Sequence, residues 1–150
     1  GEPRSALPTG GFMMKVRINI DGVSGLGRDE DTVSMMTEGS YSPIEGGWLV
    51  RYEENEAAGL DGTKTAIKIY DDCVVVDRHG KLTARMEFRP GSSSRFPYKT
   101  EYGLSLLGIH TRKLKTDFNE DGGSLSIRYM VDIDHLVSSE NRLDMTVRKI

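Results

Sequence analysis

The fold is most clearly indicated by the stretch DGGSLSIRYMVDI, residues 121–133. Every second position from 125 onward is apolar, the set being Leu125, Ile127, Tyr129, Val131 and Ile133. This alternation is typical of a β-strand with one buried and one solvated face. The Asp-Gly-Gly sequence before it tolerates positive φ, so we predict a hairpin that joins this strand to the preceding one.

The same alternation recurs along the chain from Met13 onward, and it predicts roughly ten strands. The segment from Ser24 to Asp31 is rich in glycine and acidic residues and is predicted to be a loop, with the first strand ending at Asp21-Gly22. Residues 96–107 are less regular, and no window carries a convincing helical stripe. The predicted strands cover residues 13–21, 33–41, 48–52, 63–70, 73–76, 82–88, 108–118, 125–133 and 143–147.

Many short strands with short connections leave two architectures, a two-sheet sandwich or a closed up-and-down barrel. A meander of antiparallel neighbours hides its two edges only by pairing its first strand with its last, which favours the barrel. We therefore predict an all-β, closed or nearly closed antiparallel barrel of about eight to ten strands. Residues 13–150 are predicted to form this single domain, preceded by a flexible arm at residues 1–12.

The amino-acid composition limits the kinds of binding partner and the cellular compartment that we expect for this protein. The net charge of −3 gives no long-range positive field, so nucleic acid is a disfavoured partner. The single cysteine excludes an internal disulfide and suits the cytoplasm. The longest apolar runs are about four residues, far short of the ~20 that span a bilayer, so no membrane segment is predicted.

Several short strings occur in the order found in one bacterial family. They are Thr37–Tyr41, Tyr52–Glu54, Gly59–Thr65, Arg85–Phe88, Tyr102-Gly103 and Asp117–Gly123. On these strings the chain resembles the YwiB-like family, over about Lys15 to Lys149, although Glu101 stands where that family is expected to place proline. The resemblance implies a calycin-like barrel, the architecture of lipocalins, and it offers no catalytic residues because the family has no assigned function.

Candidate binding residues follow from strand parity. Glu53 and Glu54 fall on opposite faces of one strand, so one of them is expected to face the barrel lumen. We take Glu53 as the better polar anchor and Arg85 as its possible partner, although parity places Arg85 on the outside of its strand. The full candidate set is Glu53, Arg85, Glu38, Trp48, Tyr52 and Tyr102. No metal ligands are predicted, because the three histidines are dispersed along the chain. No catalytic residues or cofactors are predicted either.

Three functions remain open. The first is a non-enzymatic barrel that binds a small, mostly apolar ligand in its lumen. The second is a filled barrel that acts as a structural or protein-interaction module. The third is an enzyme with an acid–base carboxylate in the barrel.

Overall fold

The computed structural model describes residues 13–26, 29–54 and 62–150. The predicted arm at residues 1–12 lies outside the described residues. The described residues form ten strands. They are β1 (Met14–Leu26), β2 (Asp29–Ile44), β3 (Gly47–Glu53), β4 (Lys64–Ile69), β5 (Val74–His79), β6 (Leu82–Phe88), β7 (Ser93–Thr100), β8 (Gly103–Asn119), β9 (Gly122–Ile133) and β10 (Val137–Lys149).

Each strand pairs antiparallel with its neighbours in sequence, and β1 also pairs with β10, which closes the barrel. The predicted closed up-and-down barrel is therefore confirmed, and the two-sheet sandwich is excluded. Within the described residues, no helix has the length and apolar character needed to cross a membrane.

The alternating direction of the strands gives the barrel two ends. We call the upper end the one that carries the β3–β4, β5–β6, β7–β8 and β9–β10 connections. The lower end carries the β2–β3, β4–β5, β6–β7 and β8–β9 connections. The predicted hairpin at Asp121 is the last of these, with its turn at Glu120 and Asp121.

The side chains that point into the barrel come from alternate positions of the strands, as the period-two pattern requires. The buried apolar set of the barrel is Val16, Ile18, Met35, Tyr41, Val50, Tyr52, Ile67, Ile69, Val74, Val76, Met86, Phe88, Leu107, Ile109, Leu125, Ile127, Met145 and Val147. A smaller buried cluster contains Ile44, Leu49, Tyr70, Cys73 and Val75. The strand parity of Leu49 and Val75 places this second cluster on the outer face.

Stacked aromatic rings close the lower end. Tyr41 is fully buried and stacks on Trp48, with ring centroids 5.0 Å apart. The ring of Phe118 lies 6.2 Å from that of Tyr41. The Tyr41 hydroxyl donates a 2.7 Å hydrogen bond to the Asn119 carbonyl, which ties β2 to the end of β8. Burial raises the pKa of the Tyr41 phenol, so the hydroxyl stays protonated as a donor.

The predicted boundaries of two regions are wrong. The first strand does not end at Asp21-Gly22 but continues to Leu26, and most of the predicted loop from Ser24 to Asp31 belongs to β1 and β2. Residues 22–25 pair with β2 on one side and with β10 on the other. Ladder bonds to both neighbours therefore outweigh the weak strand propensity of glycine. The irregular segment at 96–107 forms most of β7 and the start of β8.

The ladder between β6 and β7 is short and holds only three residue pairs, Leu82–Thr100, Thr83–Lys99 and Ala84–Tyr98. The next residue of β7 is Pro97, which has no backbone N–H to donate. Below this proline the two strands no longer pair, and the β6–β7 connection bonds to β8 instead through Gly91, Ser92 and Thr111.

Candidate functional site

A charged pair lies inside the barrel near its upper end. Glu54 extends the β3–β4 ladder by one residue, because its backbone N–H donates to the Thr63 carbonyl at 2.8 Å. This places Glu54 on the face of Tyr52, pointing inward. Arg78 shares a face of β5 with Val74 and Val76, both buried in the core. The two charged side chains thus enter the lumen from neighbouring regions of the sheet.

Glu54 and Arg78 compensate each other. The Arg78 Nε atom lies 3.6 Å from Glu54 Oε1, and the Thr65 hydroxyl donates to the same oxygen at 3.0 Å. The Glu54 side chain is only 3% exposed, whereas Arg78 keeps 24% of its side-chain surface exposed. A carboxylate this deeply buried needs a cation and a hydrogen-bond donor, and this site supplies both.

Two phenols border the pair. Burial raises the pKa of Tyr52, the negative charge of Glu54 raises it further, and Arg78 opposes the effect. Burial also raises the pKa of Tyr129, and Arg78 again acts in the opposite direction. Tyr129 packs edge-on against Phe88, with ring centroids 4.9 Å apart. Both phenols therefore remain neutral and are able to donate or accept a hydrogen bond beside the charged pair.

Hydrogen bonding in the upper half of the interior is incomplete. Among the described residues, the buried Thr63 Oγ1, Arg78 Nε and Thr111 Oγ1 atoms have no hydrogen-bond partner. Buried polar atoms normally find a partner, and leaving one without a partner costs about 1–3 kcal/mol. Thr111 is the inner-face cross-strand neighbour of Tyr129, so these atoms lie around one polar region.

Apolar side chains lie between this polar region and the solvent at the upper end. Several inner-face residues of the upper half are only partly buried, namely Ile20, Phe96, Tyr98, Tyr129, Val131 and Leu143. Exposed apolar side chains also occur at this end of the barrel: Tyr102 and Leu136 lie in turns, Leu104 and Leu106 lie on the outer face at the start of β8, and Ile133 ends β9. The upper end thus presents an apolar rim, in contrast to the aromatic closure of the lower end.

Two of the predicted site residues lie on the outer face. Glu53 is exposed there, so of the two adjacent carboxylates it is Glu54 that faces the interior. Arg85 also lies outside, as its parity predicts, and its Nη1 is 3.3 Å from Asp77 Oδ2. The structure therefore does not place Glu53 and Arg85 as a pair in the lumen.

The remaining predicted residues are distributed over the barrel. Glu38 is exposed and pairs with Lys15, with Nζ 3.3 Å from Oε2. Tyr52 lies beside the Glu54–Arg78 pair, whereas Trp48 belongs to the aromatic closure of the lower end. Tyr102 is 91% exposed in the β7–β8 turn of the upper rim. Of the predicted set, Tyr52, Glu53 and Tyr102 thus lie towards the upper end of the barrel, and of these three only Tyr52 is buried.

Arg78 is absent from the predicted site residues because the sequence Arg78-His79-Gly80-Lys81 is typical of a hairpin turn. A signal was nevertheless present, since Arg78 continues the alternation of Val74 and Val76. The part of the chain that the structure describes contains no group of three or more His, Cys, Asp or Glu residues able to hold a metal ion.

Comparisons with known proteins agree with this architecture. The family model described as a domain of unknown function, DUF1934, matches residues 18–145. The uncharacterized beta-barrel protein YwiB of Bacillus subtilis (strain 168) is 28% identical over 102 residues, which cover 67% of this chain and 70% of that protein. The crystal structure of the ywiB protein from Bacillus subtilis matches with a TM-score of 0.81 at 22% identity, over 92% of this chain and 93% of that chain. The predicted resemblance is thereby confirmed, and the chain belongs to the DUF1934 family of β-barrel proteins.

Proposed function

We propose that the barrel binds a small, mostly apolar molecule, which enters at the upper end and presents one polar group to Arg78. The observation that carries this proposal is the contrast between the two ends. Aromatic rings close the lower end, whereas the upper end combines partly exposed apolar side chains with buried polar atoms that lack a hydrogen-bond partner. Ligand sites are typically apolar with a few convergent polar groups.

The charges of the site indicate the kind of polar group that fits. Arg78 is the reachable donor because 24% of its side chain is exposed, while Glu54 already neutralises it. An anionic group would therefore meet the Glu54 carboxylate as well as the guanidinium. A neutral hydroxyl or carbonyl accepts a hydrogen bond from Arg78 without adding a buried charge, and we expect such a group on the ligand.

A filled barrel that binds another protein through its upper rim is the second candidate. It is favoured by the continuous apolar core and by the exposure of Leu104 and Leu136, which are 71% and 83% exposed. Scattered exposed apolar residues are normal on a protein surface, but a contiguous apolar rim is typical of an interaction site. The two candidates differ in whether the interior itself takes up a molecule.

The test is binding of the apolar fluorescent probe aminoanthracene to the full chain, after native mass spectrometry has shown whether a molecule co-purifies. Trp48 is the only tryptophan and lies at the lower end, so its emission reports on folding independently of the upper site. Arg78→Met is expected to weaken displacement of the probe by a medium-chain alcohol about tenfold, as loss of one hydrogen bond predicts.

Arg85→Met is the matched control, because Arg85 lies on the outer face beside Asp77. It is expected to bind the probe and the alcohol like the wild-type protein. A greater loss in Arg85→Met than in Arg78→Met would instead favour the anchor predicted from the sequence. Absence of both a co-purified molecule and probe binding would refute lumenal binding and favour the filled barrel.

The calycin-like resemblance supports ligand binding only by analogy of fold. We also propose that the protein works in the cytoplasm, since its single cysteine is buried and forms no disulfide.

A further inference from the structure

A hydrogen-bonded chain of side chains crosses the outer face of β7, β8 and β9, away from the lumen. Ser93 and His110 are direct cross-strand neighbours, and Ser93 Oγ lies 2.8 Å from His110 Nδ1. The other ring nitrogen, His110 Nε2, lies 2.9 Å from Asp132 Oδ2. Serine, histidine and aspartate thus lie in the order that activates a serine hydroxyl in acyl-transfer enzymes.

The Asp132 carboxylate fixes which groups donate and which accept in this series of hydrogen bonds. Hydrogen bonds from Arg95 and then from His110 lower the pKa of Asp132 to about 2, so the group is ionised and only accepts. His110 must then donate from Nε2, which leaves Nδ1 of the neutral ring as an acceptor. The Ser93 hydroxyl is therefore the donor to Nδ1, and the imidazole is placed to remove its proton.

Arg95 and Gly108 position the carboxylate. Arg95 Nη1 lies 2.6 Å from Asp132 Oδ1, and both residues are cross-strand neighbours of Gly108, which lies between them. A Cβ atom at Gly108 would lie 2.5 Å from Arg95 Nη1 and 2.5 Å from Asp132 Oδ2. The absence of a side chain at this position is what lets the two groups meet.

The backbone hydrogen bonds of Thr111 fix the direction in which nearby N–H groups of β7 point. The Thr111 N–H donates to the Ser92 carbonyl, so Thr111 bonds towards β7. Because bonding direction alternates along an antiparallel strand, the N–H groups of Ser93 and Arg95 point away from β8 and towards β6. The β6–β7 ladder holds only three pairs and ends above them. Such donors are the kind that stabilise a developing oxyanion.

We propose that Ser93, activated by His110 and Asp132, is a nucleophile that accepts the acyl group of small activated esters at the outer face of the barrel. Ser93 Oγ bonds to the ester carbonyl carbon while its proton passes to His110 Nδ1. When the carbon–oxygen bond to the leaving group breaks, His110 returns that proton to the departing oxygen. Water then attacks the carbonyl carbon of the acyl-serine and gives its proton to His110 Nδ1. As the bond between that carbon and Ser93 Oγ breaks, His110 returns the proton to Oγ, which releases the acid and restores Ser93.

The experiment treats the full chain with para-nitrophenyl acetate and, separately, with a fluorophosphonate probe, and locates the adduct by peptide mass spectrometry. We expect labelling at Ser93 that is abolished in Ser93→Ala and falls about 100-fold in His110→Phe, the effect of losing a general base. Asp132→Asn is expected to weaken labelling as well, because the amide no longer fixes the His110 tautomer.

Ser124→Ala is the matched control, since Ser124 is an exposed serine on neighbouring β9. It is expected to label like the wild-type protein, and circular dichroism checks that each variant is folded. Nitrogen NMR of the imidazole is expected to show the Nε2-protonated tautomer in the wild-type protein. Labelling at Ser93 that is no faster than at other serines, or that survives unchanged in His110→Phe, would overturn the proposal. The hydrogen bonds among Ser93, His110 and Asp132 would then have a structural role only.

Discussion

Arg95 and Asp132 meet across an intervening strand, with Arg95 Nη1 2.6 Å from Asp132 Oδ1, although β8 separates their own strands. Residues on alternate strands of a sheet are ordinarily kept apart by the side chain between them. Here that position is Gly108, so the guanidinium and the carboxylate close over a bare backbone. This glycine therefore lets Arg95 act directly on Asp132 in the group formed by Ser93, Arg95, His110 and Asp132, which we call the outer-face cluster.

Gly108→Ala is expected to separate this ion pair while preserving the fold. The new Cβ atom would meet the ends of two flexible side chains, at 2.5 Å from Arg95 Nη1 and 2.5 Å from Asp132 Oδ2, and these ends are free to move aside. We expect the pKa of Asp132 to rise from about 2 towards its ordinary 3.8, as measured by carboxyl-carbon NMR titration. Gly22→Ala is the control, because the nearest atoms to its Cβ are 4.0 Å away. An unchanged titration of Asp132 in Gly108→Ala would contradict the assignment.

The same carboxylate predicts a pH dependence of stability. The pKa of Asp132 is lowered on folding from 3.8 to about 2, so its ionised form is favoured in the folded state. Its contribution to the free energy of unfolding is fully present above about pH 4 and is lost as the pH falls towards 2. Asp132→Asn is therefore expected to be less stable than the wild-type protein near neutral pH and to approach it in acid.

Urea unfolding between neutral pH and the acid limit of folding measures this difference. Asp31→Asn, which changes an exposed acid of β2, accounts for the general effect of removing one negative charge. A gap between Asp132→Asn and wild type that stayed constant down to the lowest pH would argue against the assigned shift.

Glu54→Gln is expected to lower the free energy of unfolding by about 1–3 kcal/mol, because it leaves the partly buried Arg78 without its counter-ion. The Thr65 hydroxyl is still able to donate to the amide oxygen, so the loss falls mainly on the ion pair. Glu53→Gln, one residue earlier and exposed, is expected to change the free energy by no more than about 0.5 kcal/mol. Chemical unfolding followed by Trp48 emission compares the two variants. Equal losses of unfolding free energy in Glu54→Gln and Glu53→Gln would show that Glu54 is no more dependent on burial than its exposed neighbour.

Pairing Glu54→Gln with Arg78→Met completes a double-mutant cycle. If the two charges compensate each other, the double variant is more stable than the sum of the single losses predicts. Strict additivity would mean that Glu54 and Arg78 are stabilised by other groups.

Much of the fold was predictable because most strands alternate strictly. Leu82, Ala84, Met86 and Phe88 are all buried, as their spacing predicts. The β1–β2 hairpin was not predictable in detail, since Gly22 and Gly25 are extended by ladders on both sides that local propensity does not encode.

The candidate sites were harder to predict from the sequence than the fold was. Parity left Glu53 and Glu54 as alternatives, and the burial of Tyr52 on the face of Glu54 resolves the choice. The outer-face cluster depends on the register of three strands, since His110 is 17 residues from Ser93 and 22 from Asp132. No short motif links positions so far apart, so the histidines appeared dispersed.

The aromatic closure of the lower end predicts different costs for two substitutions of Tyr41. Tyr41→Phe removes the 2.7 Å hydrogen bond to the Asn119 carbonyl but keeps the ring on Trp48, and we expect a loss of about 1 kcal/mol with unchanged tryptophan emission. Tyr41→Ala also removes the stacked ring, so we expect a loss of about 3–5 kcal/mol and a red shift as Trp48 gains water. Tyr102→Phe is the control, since Tyr102 is 91% exposed and its hydroxyl contributes little to stability. If Tyr41→Ala left the emission of Trp48 unaltered, the lower end would be closed by other residues and the contrast between the two ends of the barrel would no longer support a ligand entering from above.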